Sequence, residues 1–325
     1  MHPSRASLPF LFVALGLAGG SITAQAVGSK LPPVVLEGFA QTPAKSFEDY
    51  SGRAVLFDFF AYWCGPCARS VPHVNGMQDL WGPKGLSVIG VTDEKVSLTE
   101  PWISANKVKY AYAYDPGGAL ARTFDVESIP RAILVDAQGT VLYNGHPGEL
   151  PPELIEKAVS GALSTPIWDL AGAGKGVKAA FLKRDFKAAL DQAALLGAAD
   201  GGPAIVSALQ GMVKAKIEGL RAAHAKGDFL GVETMAQAIA KELAGLPEAA
   251  EATKLRSDVA ADPKAQTVLK AQQKLAKIAA RSPNSNKELE AAIEDLRELK
   301  AAHPGTYVEK QAEQLIGRLY GMMNR

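Results

Sequence analysis

The chain is poor in cysteine: 325 residues contain two, Cys64 and Cys67. One such pair cannot staple a fold of this length, so the fold must rest on an apolar core, for which 47% hydrophobic residues suffice. An excess of either charge is also missing. Lys plus Arg number 35 against 34 Asp plus Glu, a formal net charge of +1. That balance gives no electrostatic case for nucleic acid or for a cation store. Beyond the first 26 residues, no apolar run reaches the roughly 18 residues of a membrane span. Aromatic residues run out part-way: all four tryptophans (63, 81, 102, 168) precede residue 170, and only Phe181, Phe186, Phe229, Tyr307 and Tyr320 follow.

The N-terminus has the order of an export signal. Arg5 supplies positive charge, Leu8 to Gly20 is an apolar run, and Ala24-Gln25-Ala26 is a small-x-small cleavage site. The run is shorter than the roughly 20 residues a bilayer requires and is broken by Gly16, Gly19 and Gly20. Removal of 1–26 and an extracytoplasmic, soluble mature protein are therefore expected, with a retained N-terminal anchor as the alternative. The change in aromatic content divides the remainder into 27–163, a linker at 164–176 rich in Gly, Ala, Ser and Pro, and 177–325. The linker's GAGKG is not a phosphate loop: Asp169 stands where the first glycine belongs, and Gly176 where a Ser or Thr must hold magnesium.

In the first unit, AVLFDFF (54–60), LSVIGVT (86–92), RAILVD (131–136) and TVLYN (140–144) read as strands, the first ones buried on both faces. The last two are joined by a hairpin turn. A helix is expected from Cys64, and a second one capped by Thr99 with Glu100 and Pro101 in its first turn. The result is a mixed α/β sheet flanked by helices. Cys64 then lies at a helix N-terminus, where unsatisfied N–H groups and the positive dipole end favour thiolate over thiol. Cys67 is one turn in, more buried, and in reach of Cys64, and Pro66 sits where a missing N–H costs nothing. A static disulfide and a metal clip are the bland alternatives. Zinc wants four ligands, and the five histidines (2, 73, 146, 224, 303) offer no second paired motif.

WCGPC at 63–67, Asp58 in VLFDFF, Pro72, and SIPRAILVDAQGTVLYNGHPG at 128–148 together resemble the thioredoxin superfamily, and within it the exported TlpA/ResA-like thiol:disulfide oxidoreductases. The resemblance covers about Gly28 to Leu163. It implies a thioredoxin-like fold, a redox-active disulfide between Cys64 and Cys67, Asp58 as a buried base for Cys67, and a cis peptide before Pro130. Trp63, Gly65, Pro66, Ile129, Pro130 and Gly148 would then form the substrate surface, with the Ile129 backbone holding an extended chain. The chain departs from that branch at Ser70, where an acid is frequent, at Asp58, where Asn is common, and at Arg131, where Thr is frequent after the cis-proline. Related copper carriers use a wider cysteine spacing and a distant histidine, for which His146 is the candidate here.

The second unit reads as helices throughout. Ser285 and Glu288 form a capping box before a stripe of Leu289, Ala292, Ile293, Leu296 and Leu299, and Thr306 with Glu309 form another. Asp262 caps a helix that has Pro263 in its first turn. KRDF from Lys183 and KGDF from Lys226 recur, a hint of tetratricopeptide-like helical hairpins without their signature residues. The expected function is reduction of protein disulfides without a cofactor. Electrons would come from a membrane thiol reductase, and the helical unit would bind a further protein. The alternative is an exported adaptor that uses the thioredoxin-like unit as a scaffold.

Overall fold

The computed structural model describes residues 27–31, 34–115, 117–281 and 285–323. The expected signal segment, 1–26, lies outside them. In chain order the first unit runs β1 (Glu37–Ala40), β2 (Ala54–Phe59), α1 (Gly65–Trp81), β3 (Leu86–Thr92), α2 (Val96–Ala105), β4 (Ala111–Tyr114), α3 (Ala119–Thr123), β5 (Arg131–Val135), β6 (Val141–Gly145) and α4 (Pro152–Val159). The strands form one sheet in the order β1-β4-β3-β2-β5-β6. β2 pairs parallel with β3 and β3 with β4, while β5 runs antiparallel to both β2 and β6. This is the thioredoxin-like mixed sheet, and the four strands read in the sequence occupy its centre and one edge.

Period-two alternation sorts β2 between two cores. Ala54, Leu56 and Phe60 face a layer with Cys64, Cys67, Val71 and Val74 from α1, Trp102 from α2 and Ile155 and Ala158 from α4. Val55, Phe57 and Phe59 face the other layer, with Leu120, Phe124, Trp168, Phe181, Phe186, Ile205 and Leu209. Covering both faces is what makes the strand a continuous apolar run. Two strands have no counterpart among the sequence expectations. β1 and β4 are four residues each, pair with one another, and are only partly buried, so neither carries a long apolar signal. α2 also differs from expectation. It begins at Val96, and Thr99 lies inside it, fully buried, with its hydroxyl donating to the Lys95 carbonyl at 3.2 Å rather than capping.

The second unit comprises α5 (Lys175–Leu182), α6 (Phe186–Ala194), α7 (Gly202–Lys226), α8 (Phe229–Glu242), α9 (Pro247–Ala261), α10 (Pro263–Ala279), α11 (Asn286–Ala302) and α12 (Tyr307–Met323). The expected stripe on α11 is buried as a whole, and the Ser285 hydroxyl accepts the Glu288 N–H. Asp262 caps α10 through the Lys264 N–H. At α12 the box is altered: Glu309 accepts the Gly305 N–H, but the Thr306 hydroxyl turns back to the His303 carbonyl. The recurring KRDF and KGDF segments share one conformation. A left-handed residue, Arg184 or Gly227, is followed by an aspartate cap whose side chain accepts from Ala188 or Gly231.

The stretch expected as a linker, 164–176, is packed. It contains two short 3-10 turns, Ile167–Asp169 and Gly172–Gly174, with Ile167 and Trp168 buried, and α5 begins within it at Lys175. Composition pointed to a linker because small residues dominate, but Trp168 stacks edge-on against Tyr50 at 5.0 Å and anchors the segment. Arg53 completes the junction. Its guanidinium donates to the carbonyls of Leu163, Ser164, Gly82 and Leu86 and to the Ser87 hydroxyl. Burial pulls it down to about 10, so it is still a cation at neutral pH, held by carbonyl dipoles. Gly52 has φ of 83°, and a Cβ there would lie 2.9 Å from Ala208 of α7, so that close approach requires glycine.

Candidate active site

The dithiol lies where β2 ends and α1 begins. Cys64 is the N-cap of α1, and Cys64 and Cys67 are disulfide-bonded with Cα atoms 5.2 Å apart. The Cys67 N–H donates to Cys64 Sγ at 3.1 Å. An orphan helix donor is thus aimed at the sulfur that would carry negative charge after reduction, in line with the dipole argument. Pro66 is in the first turn. Exposure was expected to separate the two sulfurs and does not: Cys64 is 4% exposed and Cys67 2%. Cys64 lies in the same buried cluster as Cys67, and the exposed surface around the pair comes from Tyr62, Trp63, Gly65 and Pro66. Its distinction from Cys67 is therefore its place at the helix end.

The remaining expected site residues fall into three groups. Ile129 and Pro130 join the dithiol: their peptide bond is cis, and the Ile129 carbonyl oxygen is 3.8 Å from Cys64 Sγ. Trp63 is 66% exposed beside Cys64, and its indole N–H donates to Glu94 Oε1 at 2.8 Å, which holds the ring as a fixed apolar plate. Gly148 belongs to a separate turn, where its N–H donates to His146 Nδ1 at 3.1 Å and the neighbouring Pro147 carbonyl meets His73 Nε2 at 3.2 Å. Arg131 is held by Asn144, to which its Nε donates at 2.6 Å.

Asp58 is 2% exposed on β2, beside Gly90 of β3 and Ala132 of β5, and strand alternation turns it toward the α1 layer. Burial raises its carboxyl and a hydrogen bond from the Tyr110 hydroxyl to Oδ2, at 2.7 Å, offsets part of that rise, which leaves it at about 7. Oδ1 is buried without a hydrogen-bond partner among the described residues. Its carboxyl thus titrates near neutrality, the range suited to taking and returning a proton.

Three contributors were not legible as site residues in the sequence: Tyr110, Glu94 and Asn75. Asn75 of α1 bonds both sides of the Tyr110 approach, donating to the Lys107 carbonyl and accepting the Lys109 N–H, each at 2.9 Å. A polar residue among Val71, Val74 and Met77 on the buried face of α1 was the available signal. Among the described residues no group of three or more His, Cys, Asp and Glu side chains could hold a metal ion.

Residues 27–144 match the AhpC/TSA family. This redoxin segment contains β1 to β5, the dithiol, Asp58 and Pro130, and ends within β6, before α4. Thiol-disulfide oxidoreductase ResA of Bacillus thuringiensis subsp. konkukian (strain 97-27) is 28% identical over 111 residues, which are 34% of this chain and 64% of the relative. ResA of Geobacillus kaustophilus (strain HTA426) is 29% identical over 129 residues, 37% of this chain and 68% of the relative. The chain thus spans a little under two thirds of the length of the Bacillus relative. A crystal structure named for a thiol:disulfide interchange protein, DsbE, from Chlorobium tepidum is 28% identical, covers 42% of this chain and 96% of that one, and has a TM-score of 0.36. The N-terminal third is a thiol-disulfide oxidoreductase-like redoxin domain, with Cys64 and Cys67 as its CxxC pair.

Proposed function

We propose that the protein is an extracytoplasmic disulfide reductase. The observation that carries this reading is the Cys64–Cys67 disulfide at a helix N-terminus, in one buried layer with a carboxyl that titrates near neutrality. In the reduced form, Cys64 thiolate attacks a substrate disulfide; one substrate sulfur leaves as thiolate and a mixed disulfide forms. Cys67 gives its proton to Asp58 and attacks Cys64 Sγ. The Cys64–substrate bond breaks, the second substrate sulfur leaves as thiolate and is protonated, and Cys64–Cys67 re-forms. Two electrons have passed to the substrate.

An extended substrate chain would lie against Trp63 and bond the Ile129 backbone as an added strand. The Gly-Pro between the cysteines, as in reducing thioredoxins, supports the direction, and a membrane thiol reductase would restore the dithiol. The apolar run and small-x-small site before Val27 support export. The helical unit, with its paired KRDF and KGDF turns, is proposed as a tetratricopeptide-like platform for a partner protein.

Dithiothreitol-driven reduction of insulin tests the chemistry. The full chain is expected to accelerate it, and Cys64→Ser to abolish the acceleration. A protein that binds partners with both thiols replaced, and shows no turnover with them intact, would instead be an adaptor.

A further inference from the structure

Three aspartates are buried in the first unit, and two of them have both oxygens satisfied. Asp49 accepts from Arg184 at each oxygen and from the Lys45 N–H. Asp115 accepts the Leu120 and Ala121 N–H groups, one at each oxygen. Among the described residues Asp58 has a single partner, the Tyr110 hydroxyl, on one oxygen. Most buried carboxylate oxygens in folded proteins are hydrogen-bonded, because a bare buried acceptor carries its full desolvation cost, so a half-bonded one calls for an explanation.

The Tyr110 contact is built by several residues. Tyr110 is 2% exposed. Its ring crosses β3 at Gly90, where an added Cβ would lie 3.3 Å from the ring and 3.0 Å from Phe60, so this passage favours glycine. Phe60 is backed by Trp102, stacked at 4.7 Å. Asn75 fixes the backbone just before Tyr110 from the helix that carries the dithiol. The hydroxyl is therefore delivered to Asp58 by three elements, α1, β3 and the approach to β4.

We propose that Tyr110 is a positioning residue for the dithiol exchange: its hydroxyl holds Asp58 by Oδ2 and leaves Oδ1 as the oxygen that takes the Cys67 proton. This rests on the reading of Asp58 as proton acceptor given above. The hydroxyl donates to the ionised carboxyl and so favours it, which keeps Asp58 able to accept a proton at neutral pH in spite of burial. Gly90 of β3 and Ala132 of β5 flank Asp58 without charge. The titratable groups in the same layer are the sulfurs of Cys64 and Cys67 on α1 and the hydroxyls of Tyr110, Tyr112, Tyr114 and Tyr143.

Tyr110→Phe in the full chain removes the hydroxyl and keeps the ring. With aspartate carboxyl carbons labelled for NMR, the Asp58 midpoint is expected to rise by about one pH unit. Release of a preformed mixed disulfide should shift its inflection upward by the same amount, slowing about fivefold at pH 7, with the first attack by Cys64 unchanged. Incorporating 3-fluorotyrosine at position 110, a stronger donor, should move both midpoints down. Asp58→Asn should abolish the inflection in either background. An unmoved carboxyl midpoint in Tyr110→Phe, or a moved midpoint with unshifted release, overturns the role of Tyr110 alone. A release profile indifferent to Asp58→Asn overturns the proton-acceptor reading beneath it, and the proposal with it.

Discussion

Asp58 has a cost for the fold besides the role proposed for it in the exchange. Its folded-state value of about 7 stands above the ordinary 3.8, so between those values the folded protein binds a proton that the unfolded chain has lost. Stability attributable to this group is then greatest at low pH, falls as pH rises from about 4 to about 7, and is level above that. Asp58→Asn removes the dependence. The variant is expected to gain on the wild type across that window, by roughly 2–4 kcal/mol between pH 4 and pH 8. Urea unfolding of both oxidised proteins at pH 4, 6 and 8 measures it, and a pH-independent difference would mean that the carboxyl is already ionised in the fold. Cys64, Cys67 and Asp58 stand out in the sequence through the WCGPC and VLFDFF segments that resemble the thioredoxin superfamily. Tyr110 does not: its partner is 52 positions away in sequence and reaches it across β3, a contact that no local pattern encodes.

At the scale of elements, the sequence was most readable where burial forces a pattern. β2, β3, β5, β6 and the α11 stripe follow from apolar runs and caps, whereas β1 and β4 are short, half-buried and paired with each other at one side of the sheet. The KRDF and KGDF turns show a second limit. Both form a left-handed residue and an aspartate cap, but only Arg184 reaches out of the helical unit. It makes a two-pronged pair with Asp49, at 2.6 and 2.7 Å, and the Asp49 side chain is fully buried. Removing one partner of a buried pair strands the other charge. Arg184→Ala is expected to cost about 3 kcal/mol in denaturant unfolding, and adding Asp49→Asn should recover part of that loss. Equal stability of Arg184→Ala and wild type would make the pair incidental.

For the whole molecule, the question is where the redoxin unit can be separated from its helices. Composition put the boundary at 163, after every expected redox motif. One apolar layer, however, runs from Phe57, Ile89 and Ile133 of the sheet through Trp168, Phe181 and Phe186 to Ile205 and Leu209 of α7. A polypeptide of residues 27–163 would keep its dithiol and lose the cover of that face, and contiguous apolar surface of this kind drives association. A polypeptide of 27–281 would lose only α11 and α12, whose cluster with the Ala271, Leu275 and Ile278 side of α10 is separate from the sheet layer. The shorter chain is therefore expected to bind an apolar dye, unfold at lower denaturant and lose insulin-reducing activity as it associates. The longer one should keep a wild-type rate per dithiol. If residues 27–163 instead stayed monomeric with full activity, the sheet layer would be self-sufficient, and the helices α5 to α9 would be a docked accessory rather than the second half of the redoxin core.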